Sequence, residues 1–101
     1  MKKIDKDFAL KVIGGSHLIG TISTTYRDLV EVFGLPTFEE PSGDDKVQKE
    51  WVFEFEGKYF TIYDWKTYDE EFTINELDRW NVGGKEYDFD FILNLEQKLE
   101  R

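Results

Sequence analysis

The run Glu50 to Lys66, EWVFEFEGKYFTIYDWK, packs seven aromatic rings into a chain with a formal charge of -9. Its apolar period is two: Trp51, Phe53 and Phe55 alternate with Val52, Glu54 and Glu56, which is the alternation of a strand with one face on a core. Glu56-Gly57-Lys58 then turns the chain into a second run of the same kind. A two-residue turn, at Glu56-Gly57 or Gly57-Lys58, aligns Phe60 and Ile62 with Trp51, Phe53 and Phe55 on one face. That face is the expected core, because large apolar side chains contribute about 1.5–3 kcal/mol each when buried. The opposite face carries Val52, Glu54, Glu56, Tyr59, Thr61, Tyr63 and Trp65. It mixes acids with amphipathic rings, and nothing in the pattern requires its burial.

Elements on either side complete a sheet. Phe8 to Ile13, Gly14-Gly15 and His17 to Ser23 read as two strands joined at a glycine turn. Thr25-Tyr-Arg-Asp28 has the form of a capping box, and Tyr26, Leu29, Val30 and Phe33 form the apolar stripe of a short helix. Gly34 and Pro36 are its stop signals. Residues 37–46 read as an exposed loop. Residues 67–79 are acidic without a clean period, and read as a loop with a short strand or helical turn at Phe72 to Leu77. Trp80 to Val82 reads as a last strand ending at Gly83-Gly84, both taken as turn glycines. Phe89, Ile92, Leu93, Glu96 and Leu99 then trace a C-terminal helix with Asp88 or Asp90 near its start. At 101 residues the expectation is one α+β domain, an antiparallel sheet of about four to five strands with two helices packed on one face.

Composition excludes several kinds of chemistry. With no cysteine, thiol catalysis, disulfides and zinc-thiolate sites are ruled out, and a reducing cytoplasm is the expected setting. Asp5, Lys6 and Asp7 interrupt any signal-peptide core, and no stretch is apolar enough to span a membrane. His17 is the single histidine, so a nucleophile–base pair would require a serine or threonine beside it. The 22 acids make chance carboxylate pairs common and uninformative. Calcium-loop spacing and glycine-rich phosphate loops are missing. The expectation is a protein that is not an enzyme and carries no cofactor or metal.

The charge is unevenly placed. Residues 1–38 sum to +1 and 91–101 to zero, whereas 39–90 sum to -10. Such a field disfavours direct nucleic-acid binding, which needs Lys and Arg to neutralise phosphates. It suits a basic protein partner. Glu54, Glu56, Tyr59, Tyr63, Asp64 and Trp65, continuing into Asp69, Glu70, Glu71, Glu76 and Asp78, would offer carboxylates for salt bridges and ring faces for arginine. The plainer alternative is a solvated acidic face, with Tyr63 and Trp65 lying under neighbouring segments.

Four stretches, TTYRDLVEVFGLPT (24–37), DKVQKEW (45–51), TIYDWK (61–66) and WNVGG (80–84), together resemble a loose group of small uncharacterised acidic proteins of bacteriophages and large DNA viruses. The resemblance spans about residues 20–84 and brings no catalytic residues. It implies a phage protein acting in the cytoplasm of a bacterial host, where small acidic proteins often inhibit host machinery. The resulting expectation is an anti-CRISPR or anti-restriction inhibitor, a partial DNA mimic that occupies the basic groove of a nuclease or other defence effector. Two alternatives remain open: a homo-oligomeric structural or virion accessory protein, with a homodimer as its simplest form, and a small hydrolase, which would need His17 and a carboxylate in one pocket.

Overall fold

The computed structural model describes residues 1–40, 47–65 and 74–100. The elements run β1 (Lys2–Lys3), α1 (Lys6–Val12), β2 (His17–Ser23), α2 (Tyr26–Phe33), β3 (Glu50–Phe55), β4 (Lys58–Tyr63), β5 (Arg79–Gly84) and α3 (Phe89–Leu99). A 3-10 turn, Ile74–Glu76, precedes β5. The strands form one antiparallel sheet in the order β1-β3-β4-β5-β2. This is the expected α+β class.

The aromatic hairpin forms as its alternation requires. Trp51 lies opposite Ile62 and Phe53 opposite Phe60. The connecting residues Glu56 and Gly57 have φ of 51° and 78°, the left-handed pair of a tight hairpin turn whose twist matches the strands. Trp51, Phe53, Phe60 and Ile62 are buried with Trp80, Val82, Leu29, Phe91 and Leu95, while Phe55 packs half-buried at the margin. Helix α2 is capped by the Thr25 hydroxyl, which accepts from the Asp28 N–H. It ends at Gly34, whose φ of 84° favours glycine. The Gly34 carbonyl accepts from the Trp51 indole N–H at 3.0 Å, tying the helix end to β3.

The expected strand from Phe8 to Ile13 is instead helix α1. Asp5 caps it, its carboxylate accepting from the Phe8 N–H at 3.0 Å. Burying Ala9 against Ile4 and Val52, with Ile13, Phe38 and Tyr59 around them, outweighs the local strand preference of the segment. In consequence the second face of the hairpin is also covered: Val52 is 0% and Thr61 2% exposed. Helices α2 and α3 lie on the first face, and a third, unforeseen helix takes part of the other.

The C-terminal helix is turned from the stripe its spacing indicated: Ile92 and Leu99 pack partly buried against the core as expected, but beside Phe91 and Leu95. Phe91 and Leu95 are buried, whereas Phe89 is 62% and Leu93 40% exposed. Apolar residues at 89, 91, 92, 93, 95 and 99 admit two stripes, and Phe60 selects between them by stacking on Phe91 at 4.0 Å and 11°. Asp88 caps the helix, accepting from the Phe91 N–H. Gly83 and Gly84 are not turn residues but the last two, buried residues of β5. A Cβ on Gly84 would lie 2.9 Å from the Phe60 ring, so that stacked pair requires glycine there. No helix among the described residues is long and apolar enough to cross a membrane.

Candidate functional site

Alternation in β3 places Glu50 on the same face as Val52, the face that α1 covers. Glu50 is the Cα partner of Tyr63 in β4. On its other side it exchanges both backbone hydrogen bonds with Phe38, so its N–H and C=O are both held by that segment. Cover from α1 ends at Ile13. Between Ile13, Val47 and the sheet a cavity of about 220 Å³ remains, bordered by Glu50, Thr61, Tyr63, Trp65, Gly83, Ser16 and His17. A second cavity of about 300 Å³, under Lys6, Leu10 and Phe38, shares Ile13, Val47 and Glu50 with the first. Glu50 therefore stands where two cavities meet.

Gly83 forms part of the cavity wall, for a steric reason. A Cβ there would lie 2.7 Å from the Thr61 hydroxyl oxygen and 3.2 Å from the Tyr63 ring. Glycine lets both side chains lie across β5. The Thr61 hydroxyl hydrogen-bonds the Glu50 carboxylate and lowers its pKa, yet burial, the largest influence, and the nearby Asp64 charge together push it from 4.5 up to about 7. Tyr63 is raised from its ordinary value, first by burial and then by the Glu50 charge. Desolvation disfavours the ionised form of either group. A carboxyl that titrates near neutrality can hold a proton, release it, or face a cation without large cost.

Of the eleven residues expected on an interaction surface, Asp69, Glu70 and Glu71 lie outside the described residues. Asp64 is not a surface acid. It is 2% exposed, and its Oδ1 accepts from the backbone N–H groups of Gln48 and Lys49, both at 2.8 Å. Two donors ahead of β3 thereby gain a buried acceptor, a stronger claim on a carboxylate than solvent has. Tyr63 is half-buried, and Trp65 is 49% exposed and meets it edge-on at 6.4 Å and 75°.

The remaining acids divide between two ends of the sheet. Glu54 and Tyr59 face each other near the hairpin turn, where the Tyr59 hydroxyl donates to Glu54 at 3.4 Å. Burial first, then the Glu54 charge, raises the Tyr59 pKa. Glu56 sits in the turn itself. Glu76 and Asp78 are exposed just before β5, at the end where Tyr63 pairs with Asn81. A six-residue strand separates these ends by roughly 20 Å. Among the described residues, the expected acidic-aromatic face is thus divided between two clusters.

Sequence reasoning missed Glu50, Thr61 and Gly83. The available signals were an acid in register with Val52 and a glycine inside a strand. His17 borders the same cavity as Glu50, the juxtaposition a hydrolase would need, although no hydrogen bond joins the pair among the described residues. Among those residues no group of three or more His, Asp or Glu side chains could hold a metal ion. Compared with protein-family models, curated proteins and solved structures, the chain matches none.

Proposed function

We propose that this chain is a non-enzymatic binding protein for a basic protein surface, acting as an inhibitor that occupies the nucleic-acid groove of an enzyme. The observation that carries this reading is Trp65, 49% exposed beside Tyr63 at the sheet end that also bears Glu76 and Asp78. Tryptophan is enriched at binding hot spots, and carboxylates at the same end of the sheet would complement lysine and arginine. The excess of -10 within residues 39–90 adds steering toward a cationic groove. Restriction and CRISPR effectors of a bacterial host are the narrower class, implied by the phage resemblance.

The test is cleavage of a defined DNA by purified restriction endonucleases and a CRISPR effector with this protein added. Inhibition that weakens with salt, and is lost in the triple variant Trp65→Ala, Glu76→Gln, Asp78→Asn, supports the reading. Failure to bind or inhibit any of them at low salt, or equal potency of the variant, counts against it.

The edge strand β2 favours a second reading, self-association. Among the described residues it pairs with β5 alone, through six of its seven residues, and Leu18 is 56% exposed, so a second copy could add its own β2 to that edge. Light scattering on a sizing column decides this: a dimer stable to salt and broken by Leu18→Lys supports it, and a monomer at all salt concentrations excludes it.

A further inference from the structure

We propose that the cleft walled by Gly83 is a guanidinium-binding site, with the Glu50 carboxylate as counter-charge, the Thr61 hydroxyl beside it, and Tyr63 and Trp65 as ring walls. The inference rests on the reading above when the guanidinium is an arginine of a basic partner. A free guanidinium compound would offer the same chemistry.

Three observations converge. The cavity of about 220 Å³ has a carboxylate at one side and open access at Trp65, which is half exposed. The Tyr63 and Trp65 rings, inclined at 75°, form a corner in which a planar cation can lie over a ring face. Nothing among the described residues forms an ion pair with Glu50, although folding has placed it under α1 beside the buried Asp64. A cation entering there would meet the Glu50 carboxylate and offset the repulsion it feels from the buried Asp64 charge.

The other ionisable groups around Glu50 are His17 on β2, Tyr63 on β4, Lys6 on α1, and Glu39 and Glu40 after the Phe38 bridge. Acids outnumber bases, so an anion is disfavoured. Guanidinium fits better than an ammonium group. It is planar, stacks on rings, is weakly hydrated, and can donate to a carboxylate and a hydroxyl together.

Agmatine is the probe, titrated into isotope-labelled protein and followed by NMR, with butylamine as the ammonium comparison. The expected result is saturable shifts confined to the amides of Glu50, Thr61, Tyr63 and Gly83 and the indole of Trp65, with the Glu50 carboxyl pKa falling on saturation. Affinity should drop at least tenfold in Glu50→Gln and in Trp65→Ala, and be unchanged in Glu96→Gln on α3. Glu50→Gln keeps the side-chain shape, and its unaltered spectrum away from the cleft will verify folding. No saturable shifts at tens of millimolar agmatine, shifts retained in Glu50→Gln, or equal binding of butylamine would overturn the assignment.

The two proposals separate cleanly. Agmatine bound in the cleft without inhibition of any nucleic-acid enzyme upholds the site and removes the inhibitor reading. Inhibition that survives Glu50→Gln, with no agmatine binding, removes the site and leaves the inhibitor reading standing.

Discussion

Replacing Glu50 with glutamine isolates what burial of this carboxyl does to stability. Its pKa moves from 4.5 to about 7, with burial as the main cause, the Asp64 charge adding to it and the Thr61 hydroxyl opposing. Between those values the unfolded chain has lost a proton that the folded chain keeps, so stability falls as pH rises. At about 1.4 kcal/mol per unit, the shift amounts to roughly 3 kcal/mol, absent below the unfolded pKa and fully felt above the folded one. Glutamine cannot ionise. The stability of Glu50→Gln relative to wild type should therefore increase by about 3 kcal/mol between about pH 4 and about pH 8, titrating groups that do not interact with Glu50 cancelling in the difference. Urea denaturation of both proteins at each pH, with equal m-values as the control, reads this directly. Each kcal/mol moves Tm by about 4–8 °C in a domain of this size, so the Tm of the variant relative to wild type should rise by more than about 10 °C over that pH range. A difference that stays flat across that range, within about 1 kcal/mol, would show that Glu50 is well solvated and refute the reasoning.

Gly83→Ala should cost about 1–3 kcal/mol through overpacking, because the new methyl would lie 2.7 Å from the Thr61 hydroxyl. Adding Thr61→Ala should recover part of that loss, and strictly additive unfolding energies would deny the contact. Asp64→Ala leaves the Gln48 and Lys49 N–H groups without their acceptor and should destabilise by about 2–4 kcal/mol, with Asp64→Asn milder. Chemical denaturation that finds the alanine variant as stable as wild type contradicts the buried clamp. Asp5→Ala removes the cap of α1 and should cost about 1 kcal/mol. Amide exchange should then quicken in α1 while the β3–β4 hairpin stays protected, and uniform acceleration would mean that α1 does not open independently.

The hairpin was legible because its information is local. Trp51, Phe53 and Phe55 alternate over a few residues, and Glu56-Gly57 suits one kind of turn. The second helix was legible for the same reason, through Thr25, the apolar stripe and Gly34. Phe8 to Ile13 was misread because its residues tolerate either form, and the choice rests on Ala9 meeting Val52, some forty residues away. The α3 stripe depended likewise on Phe60, about thirty residues before Phe91 and outside any local window around it.

The candidate site followed the same division. Trp65 and Tyr63 stood out as amphipathic rings at a strand end, and they remain at the cleft. Asp64 looked like their acidic neighbour, but its oxygen is taken by two backbone donors that only the folded loop brings near. Glu50 looked like one acid among 22. Local alternation by itself determined the paired strands, the aromatic core face and the acidic character of the chain, since those depend on neighbours in sequence. Only the tertiary structure decided which acids are buried and which glycines make room for a cleft, because burial and steric closeness depend on what distant segments place against each residue.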